Sequence, residues 1–502
     1  MLGRRDFIIR SGAMLAALGA ARHAVADECV GATIGDAAMS RFRSSIAGTV
    51  LLPSDAPYAS ARLLYNLRFD PRPFAIVRPA SESDIQRTIE FARVHGVRLA
   101  VRSGGHSYIG ASGGTGIVLD MASLAGVQPL GGSMFKLGSG TQLQRVYGDL
   151  RCIGNWTLPS GGCDTVGFGG IAQGGGFGYL QRAHGLTCDR VRAVRMVLAD
   201  GSIVTASPRG DDDLFWALRG GGGGSFGVAV DFTVEAVPFT PLQVIVWYWP
   251  LDAADEVLQL MQDAALDGRL PRDASAAAVF SRTAAALAVP QCIGVLWSRG
   301  SMADALAARE VLTGLGGIPA TPGMGYSYEA SSPVCDPTAV AMRQHYRAKS
   351  SMVYGPPSPG TGAAVRQSML ERLASPVLTA ADYASINFLT LGGAVSDVAP
   401  TATAFAHRAA TLEVQYLGYV LSPTPHSIAA NQSWLRGAYA AIAPGLANGG
   451  SGGYVNYADE DLTEAQFPAH YWGANYPRLQ ATKRRVDPAG FFSGVQTVRG
   501  SP

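Results

Sequence analysis

The apolar and polar positions between residues 74 and 101 predict a strand, a helix and a second strand. The apolar run FAIV at 74–77 predicts the first strand, and Ser83 is placed to cap the helix. The apolar residues of this helix share one face: Ile85, Ile89 and Ala92. Gly96 ends the helix, and the β-rich run at 97–101 leads into a loop that contains His106. We therefore expect a βαβ unit that delivers His106 from the end of a buried strand.

From residue 117 to residue 237 the pattern alternates short strands with two helices. Strands are predicted at 117–120, 134–137, 191–198, 202–206 and 227–237, and helices at 141–150 and 211–218. Asp200-Gly201 marks a hairpin turn between two of these strands. The glycine-rich stretch at 159–186 is predicted to be a loop.

The composition changes at two prolines, Pro238 and Pro241. Beyond them, alanine-rich helices at 253–266 and 302–315 alternate with apolar strands at 244–248 and 288–297. The run GGSGG at 449–453 is the next break. The pattern predicts a first domain over 43–238, a second domain over 239–451 made of a sheet backed by helices, and a C-terminal segment over 452–502.

The first 26 residues have the pattern of an export signal. RRDFI at 4–8 is a twin-arginine motif, and AVA at 24–26 precedes a cleavage site. The apolar run at 11–18 is far shorter than the ~18–20 residues that span a bilayer. The twin-arginine machinery carries folded proteins, which suits an enzyme that loads a cofactor before export. We expect a periplasmic or secreted protein with no stable membrane insertion.

Charge and motif content exclude several other classes of protein. The formal net charge is +2, and loss of the export signal brings it to about −1, which argues against nucleic acid as a partner. The eight histidines form no HExxH motif, so the sequence predicts no metal site. The six cysteines show no CxxC pair, and pairing among Cys29, Cys292 and Cys335 stays open.

A histidine and a cysteine each lie in a glycine-rich loop. His106 follows RSGG at 102–105, and Cys163 lies in the run GGCDTVGFGG at 161–170. Imidazole and thiolate are nucleophiles, and glycines let the backbone approach a flat phosphorylated ligand closely. Singly, each residue is equally consistent with a turn histidine or a buried cysteine. Together with the βαβ unit and the export signal, they predict two covalent anchors on one flavin.

Two glycine patterns match the dinucleotide-binding signature GxGxxG or its alanine variant. They are formed by Gly222, Gly224 and Gly227 and, in the alanine variant, by Gly167, Gly169 and Ala172. A dinucleotide site needs a strand before the glycines and a helix after them. Gly222 follows a predicted helix and precedes a strand, and Gly167 follows a loop. The order of elements therefore argues against a nicotinamide-binding fold.

These motifs resemble those of the berberine bridge enzyme-like flavoproteins of the vanillyl alcohol oxidase superfamily. Beyond the two anchor loops, the resemblance rests on the glycine run at 218–228, FAHR at 405–408 with Gln415-Tyr416, YVNYAD at 454–459 and YWGAN at 471–475. It implies an α+β, two-domain PCMH-type FAD-binding fold, whose substrate domain is an antiparallel sheet backed by helices. Residues 405–408 and Gln415-Tyr416 would belong to the floor strands of that domain.

The same resemblance implies FAD as the cofactor, bonded to His106 through its 8α-methyl carbon and to Cys163 through C6. Further cofactor-binding residues are expected in both loops and near the C-terminus: Arg102, Ser103, Gly104, Gly105, Ser107, Val166, Gly167, Gly169, Gly170, Gly174, Gly175, Gly176, Gly178 and Asn475. Val166 also matches the position that gates oxygen in relatives, where a valine favours reaction with O2.

The resemblance nominates Tyr457, Gln415 and Tyr108 as catalytic residues. Tyr457 would take the hydroxyl proton of the substrate, although a phenol with a pKa near 10 needs nearby positive charge or hydrogen bonds to do so. Gln415 occupies the place of a glutamate base in the ring-closing alkaloid enzyme of the family. An amide cannot take a proton, so Gln415 is expected to orient the substrate or Tyr457, and alcohol oxidation is favoured. Tyr108 is expected to line the active site.

The predicted function is oxidation of a CH–OH group in a sugar, an oligosaccharide or a bulky secondary alcohol, with reduction of O2 to H2O2. Trp247, Tyr248 and Trp249 are candidate stacking faces for sugar rings, although aromatic strand residues are more often core. One alternative is a dehydrogenase that passes electrons to a quinone or a protein. Another is a secreted flavin-binding or carbohydrate-binding protein without catalytic activity.

Overall fold

The computed structural model describes residues 34–282, 291–313, 321–328, 343–355, 361–375, 382–446 and 450–500. The predicted export signal, Cys29 and Cys335 lie outside these residues. Cys292 is buried and forms no disulfide with another described cysteine. None of the helices in these ranges has both the length and the apolar composition needed to span a bilayer.

The N-terminal part of the chain forms a four-stranded and a five-stranded sheet. The first, in the order β1-β2-β4-β3, contains β1 (Thr49–Leu51), β2 (Ala75–Arg78), β3 (Leu99–Arg102) and β4 (Ile117–Asp120). The second, in the order β5-β6-β10-β8-β9, contains β5 (Val127–Gly131), β6 (Met134–Gly138), β8 (Val191–Val197), β9 (Ile203–Ala206) and β10 (Val228–Glu235). A small ribbon pairs β7 (Trp156–Thr157) with β11 (Val237–Pro238).

The predicted βαβ unit is present, with two differences. Strands β2 and β3 both run parallel to β4, which lies between them, so β3 is an edge strand. Its residues 99–101 are only half-buried, and the expectation of a buried strand is wrong because this edge borders a cavity. The helix cap is Ser81 instead of Ser83, since the Ser81 hydroxyl accepts from the Asp84 amide at 3.4 Å.

The helices of the N-terminal part are α1 (Asp36–Ser45), α2 (Tyr58–Ala61), α3 (Glu82–Val94), α4 (Leu143–Gly154), α5 (Phe168–Gln173), α6 (Gln181–His184) and α7 (Asp212–Ala217). Helices α5 and α6 lie inside the stretch that the sequence predicted to be a loop. Their glycine content makes these helices hard to predict, because glycine is a poor helix former. Helix α5 is stabilised instead by the buried contacts of Phe168 and Ala172.

The middle part of the chain is an antiparallel sheet backed by helices, as predicted. Its strand order is β15-β12-β14-β13-β17-β18-β16, with β12 (Leu242–Trp249), β13 (Ala274–Arg282), β14 (Gln291–Arg299), β15 (Thr321–Tyr328), β16 (His345–Val353), β17 (Asp382–Thr390) and β18 (Leu412–Val420). The helices are α8 (Ala254–Leu266), α9 (Met302–Thr313), α10 (Thr361–Leu373) and α11 (Pro425–Ile442). The α+β, two-domain class expected from the sequence is confirmed.

One core joins these helices to a single face of the seven-stranded sheet. Trp247 and Trp249 lie in this core with 0% and 4% of their surface exposed, so neither offers a stacking face. Residues 405–408 form a loop and not a floor strand. The opposite face of the sheet carries Gln415, Leu417 and Tyr419, and it borders a cavity that His106 and Cys163 also line.

The C-terminal segment returns to the N-terminal part through α12 (Phe467–Trp472) and α13 (Tyr476–Val486). Phe467, Tyr471 and Trp472 are buried in the same core as Phe135 and Phe232 of the five-stranded sheet. Because burial of large aromatic side chains contributes strongly to stability, these contacts hold the segment against the N-terminal sheets.

An acidic triplet, Asp459 to Asp461, ties this segment to other parts of the chain. The Lys349 ammonium on β16 contacts the Asp459 carboxylate at 2.7 Å, and both side chains are buried. Arg68 and Arg347 pair with Glu460, and Arg436 on α11 pairs with Asp461. The triplet thereby fixes the turn that precedes it, which contains Tyr457.

Candidate active site

A cavity of about 630 Å³ lies between the glycine-rich loops, the open face of the seven-stranded sheet and the C-terminal segment. Its lining includes the edge strand β3, both predicted anchor residues and Tyr457. This volume falls within the range of ligand-binding pockets, and the cavity sits at the junction of two domains, where such pockets are frequent.

The first loop places His106 directly after β3. Arg102 ends that strand and bonds to Asp120 at 3.0 Å, which fixes the start of the loop. Gly105 has a φ of +73°, a conformation that L side chains rarely adopt. A Cβ on Gly104 would lie 2.2 Å from the Gly167 nitrogen of the second loop. Only glycine allows the two loops to touch here.

The second loop places Cys163 on the same cavity as His106. The Cys163 side chain is exposed in this cavity, but partial desolvation by the surrounding protein raises the pKa of its thiol, and the Asp164 carboxylate adds to this effect. Burial also lowers the pKa of His106 to about 4, so its imidazole is neutral at pH 7. The two loops are joined directly, because His106 Nε2 lies 2.8 Å from Thr165 Oγ1.

Tyr457, Tyr108 and Gln415 come together at one end of the cavity. The Gln415 amide nitrogen donates to the Tyr108 hydroxyl at 3.1 Å, and Asn387 on the neighbouring strand donates to the Gln415 carbonyl at 3.4 Å. The rings of Tyr108 and Tyr457 meet edge to face, with centroids 5.4 Å apart. The Gln415 amide nitrogen therefore bonds to Tyr108 and not to Tyr457. The Tyr108 ring lies in contact with the Tyr457 ring and so connects the two residues.

Glu413 is a candidate functional residue that the sequence reasoning missed. It is 2% exposed, and its Oε1 atom has no hydrogen-bond partner among the described residues. Burial raises the pKa of Glu413 well above its usual value. Burial also raises the pKa of Tyr457, and the charge of Glu413 is the next largest cause. The signal was available in the sequence: Glu413 is the one charged residue in strand β18, and it lies two residues before Gln415 on the same face.

The Tyr457 end of the cavity is rich in tyrosine. Tyr65, Tyr346 and Tyr419 line it together with Tyr108 and Tyr457. Among the described lining residues, Arg98 is the one side chain with a permanent charge. It precedes strand β3 and its backbone contacts Gly116, whereas Tyr108 follows the other end of that strand. The tyrosine end thus offers hydroxyl groups and aromatic faces without a full charge.

Several residues predicted to bind the cofactor line the cavity, and others do not. Those that line it are His106, Cys163, Ser103, Gly104, Gly105, Ser107, Val166, Gly167, Gly169 and Gly170. Arg102, Gly174, Gly175, Gly176, Gly178 and Asn475 lie outside the lining. The Asn475 amide instead donates to the backbone carbonyls of Pro400 and Thr403, at 2.8 and 3.2 Å. In the structure it therefore holds a loop of the second domain.

A second glycine run, at 221–224, lines the cavity although the sequence reasoning did not assign it to the site. A Cβ placed on Gly170 or Gly224 would meet no atom within 4 Å, so a side chain there would project into free space. Bare backbone of this kind lets a flat ligand with phosphates approach closely. The lining residues therefore fit the flavin nucleotide that the motifs predict. In the described ranges, no group of three His, Cys, Asp or Glu side chains is arranged to hold a metal ion.

Two family models match the chain. The model described as "FAD binding domain" matches residues 73–207, and the model described as "Berberine and berberine like" matches residues 453–499. The first range contains the loops of His106 and Cys163, and the second contains Tyr457 and the acidic triplet.

Similar proteins cover nearly the whole chain. Chitooligosaccharide oxidase of Gibberella zeae is 26% identical over 473 residues, which are 87% of this chain and 89% of that protein. Tetrahydroberberine oxidase of Berberis wilsoniae is 27% identical over 465 residues, or 85% of each chain. Among solved structures, a glucooligosaccharide oxidase from Acremonium strictum superposes with a TM-score of 0.82 at 24% identity, covering 92% of this chain and 99% of that one.

Proposed function

The chain is similar over most of its length to berberine bridge enzyme-like FAD-dependent oxidoreductases, and from that premise we propose that it acts on a CH–OH group as an exported carbohydrate oxidase with FAD bonded to His106 and Cys163. One observation carries the proposal: a single cavity brings both anchor residues together with Tyr457, Tyr108 and Gln415. His106 and Tyr108 share one loop, Cys163 lies in a second, and Gln415 and Tyr457 come from two further segments of the chain. Only the folded chain brings all five residues together.

FAD would be held by the two glycine-rich loops and the run at 221–224, with His106 and Cys163 as its covalent attachments. The glucooligosaccharide oxidase whose structure superposes on this chain carries a 6-S-cysteinyl, 8α-N1-histidyl FAD. A histidine and a cysteine on one cavity wall supply the same pair of residue types here. When bound, FAD supplies the hydride acceptor of the reaction.

We assign Tyr457 as the base that accepts the hydroxyl proton of the substrate. It lines the cavity, whereas the buried carboxyl of Glu413 does not, and a base must first be within reach of the proton. Because burial and Glu413 both raise the pKa of Tyr457, its phenolate forms most readily at alkaline pH. The Tyr108 hydroxyl accepts from Gln415, so its own proton is free to bond the substrate oxygen and orient the reacting carbon.

The chemistry of the lining favours a neutral sugar as the substrate. A protonated amine would find no carboxylate among the lining residues, and a carboxylate substrate would find no cation at the tyrosine end. Burying an unpaired charge is costly, so either ion would bind weakly. Sugar rings instead present hydroxyls and apolar faces, which match tyrosine hydroxyls and rings. The relatedness to a chitooligosaccharide oxidase supports this choice.

Oxygen is the proposed electron acceptor, with Val166 beside the anchor Cys163 as the residue that leaves room for it. Val166 lines the cavity and packs against the core of the five-stranded sheet. The competing function is a dehydrogenase on the same scaffold, with a quinone as acceptor. Reduced protein mixed with aerated buffer in a stopped-flow instrument separates the two. Reoxidation by benzoquinone alone would overturn the oxidase proposal.

The carbohydrate proposal is tested by a peroxide-release assay. Neutral oligosaccharides should release peroxide, and the same oligosaccharides bearing a carboxylate on the reacting ring should release far less. Polycyclic secondary alcohols are the competing class, and peroxide from these alone would exclude the sugar. Covalent attachment is tested separately: acid-precipitated protein should stay yellow, and peptide mapping should find flavin mass on the peptides with His106 and Cys163.

Export is proposed from the twin-arginine motif at 4–8. Replacement of Arg4 and Arg5 by lysine in a bacterial host should retain the protein in the cytoplasm with its flavin already attached. Unchanged export of this variant would argue against the twin-arginine route.

A further inference from the structure

The contact between His106 and Thr165 has a consequence for how the flavin is attached. His106 Nε2 lies 2.8 Å from the Thr165 hydroxyl oxygen, in the loop that also carries Cys163. A neutral imidazole has one protonated and one unprotonated nitrogen, and the partner of one nitrogen decides which is which. Only the unprotonated nitrogen has a lone pair with which to form a new bond.

The imidazole is held in one orientation by further contacts. The Tyr65 ring stacks on it with centroids 3.8 Å apart and an interplanar angle of 17°. The Tyr346 hydroxyl donates to the His106 carbonyl at 2.8 Å. The close approach of Gly104 to Gly167 prevents the two loops from sliding past each other. The ring therefore presents the same nitrogen to Thr165 and the other nitrogen elsewhere.

The Thr165 hydroxyl can either donate to Nε2 or accept from it, and the state of the ring bears on which role it takes. Burial lowers the pKa of His106 to about 4, so the ring is neutral and carries a single N–H. The Thr165 backbone opposes this shift, as a hydrogen-bond acceptor does when it faces an imidazole N–H. Thr165 therefore presents acceptor atoms to the ring, and its hydroxyl is the one in contact with Nε2.

We propose that Thr165 is a positioning residue for flavin attachment: its hydroxyl accepts the Nε2–H of His106, and Nδ1 is left as the nucleophile toward a methyl carbon of the flavin ring. This inference rests on the proposed attachment of FAD to His106. The cysteine loop would then control both anchors, one by carrying Cys163 and the other through Thr165.

The attachment step balances without any further reactant. The Nδ1 lone pair forms the N–C bond, one methyl C–H bond breaks, and its electron pair enters the flavin ring. The ring takes up two protons, one from the methyl group and one from Nε2. O2, the acceptor of the proposed function, then removes both electrons and both protons as H2O2.

A hydroxyl suits both states of this histidine. Before attachment Nε2 carries a proton and needs an acceptor, whereas after attachment Nε2 has lost its proton and needs a donor. The Thr165 hydroxyl can do either by rotation, but the isosteric methyl of valine can do neither. Valine would leave a buried donor unpaired before attachment, and such a loss is costly.

The test uses a Cys163→Ala background, in which His106 is the sole proposed anchor. Apoprotein from a riboflavin-starved host is mixed with FAD, and covalent flavin is followed by gel fluorescence after denaturation. We expect attachment to be about tenfold slower with Thr165→Val added, since the lost hydrogen bond weakens the reactive tautomer. Thr165→Ser should attach at nearly the parent rate. An equal rate for Thr165→Val would overturn the inference.

Failure of the proposed function is distinguishable from failure of this inference. If the Cys163→Ala protein itself carries no flavin on the His106 peptide, the attachment to His106 is wrong. Should Thr165→Val fail to fold, as judged by circular dichroism, Thr165→Ala takes its place: attachment about tenfold slower than the parent supports the proposal, and an equal rate overturns it. NMR of the ¹⁵N-histidine-labelled flavin peptide identifies the bonded nitrogen, and an Nε2 linkage would also overturn it.

Discussion

The Gln415 amide nitrogen donates to the Tyr108 hydroxyl at 3.1 Å, although the two residues lie 307 positions apart in the chain. This bond joins strand β18 of the second domain to the loop of the first domain that carries His106. It sets the direction of the Tyr108 hydroxyl, because a hydroxyl that accepts one bond has its own proton available for another.

The first prediction concerns this pair. Gln415→Leu and Tyr108→Phe should each slow flavin reduction by sugar by roughly fivefold, the effect of about one neutral hydrogen bond. The double variant should be no slower than the slower single variant, because both changes remove the same oriented donor. Rapid-mixing measurements of flavin absorbance supply the three rates. Multiplicative effects would mean that the two residues act independently.

Tyr457→Phe is the second prediction. Removal of the proposed proton acceptor should lower the rate of flavin reduction by about 10² to 10⁴. The visible spectrum and the covalent flavin content should stay unchanged, since Tyr457 is not an anchor. Tyr383→Phe is the matched control, as it removes a phenol hydroxyl from a residue outside the cavity lining. A variant that retains a tenth or more of the wild-type rate would remove Tyr457 from its role.

The pH dependence follows from the raised pKa of Tyr457. A base acts when deprotonated, so the rate of flavin reduction should rise with pH and reach no plateau below about pH 10. Glu413→Gln removes the negative charge that is the second cause of the shift, after burial. This variant should therefore move the profile to lower pH.

The control for charge is Glu464→Gln, which removes a carboxylate that pairs with Arg499 at the surface. Its profile should coincide with that of the wild-type protein. If Glu413→Gln instead lowers the rate at every pH without moving the profile, then Glu413 takes part in proton transfer and does not act merely as a nearby charge.

A fourth prediction concerns the buried pair of Lys349 and Asp459. Lys349→Met leaves the Asp459 carboxylate buried without its cation, which should lower the free energy of unfolding by about 3–5 kcal/mol. Burial already raises the pKa of Asp459, and loss of Lys349 raises it further. A carboxyl with a raised folded-state pKa destabilises the protein above that pKa, so the loss should be larger at pH 8 than at pH 5.

The partner substitution separates charge from packing. Adding Asp459→Asn to Lys349→Met removes the buried charge and should recover part of the lost stability, with no remaining difference between pH 8 and pH 5. Thermal unfolding followed by circular dichroism gives the comparison. No recovery would show that the lysine contributes by packing or through its second ion pair, with Asp461 at 2.7 Å, instead of through Asp459.

Much of the fold was predictable because it depends on short-range patterns. The apolar face of α3 and the hairpin of β8 and β9 follow from periodicity and from one Asp-Gly turn. Helix α5 was not predictable in this way, since its glycines have low helix propensity and tertiary burial stabilises it.

In the candidate site, too, some residues could be predicted from the local sequence and others could not. His106 and Cys163 were predicted from the sequence alone, because each lies in a glycine-rich loop that is recognisable from its neighbouring residues. The hydrogen-bond partners of Gln415 and Asn475 and the effect of the Glu413 charge on Tyr457 could not be predicted, because they depend on residues that the docking of two domains brings together. The same holds for Thr165, whose contact with His106 exists only where two loops, 59 positions apart in the chain, touch through glycine backbone. The sequence by itself determined which nucleophiles are present and which strands and helices surround them. The tertiary structure decided which nitrogen of His106 faces Thr165, which hydroxyl Gln415 bonds and which carboxyl lies near Tyr457, because these contacts form only when distant segments pack together.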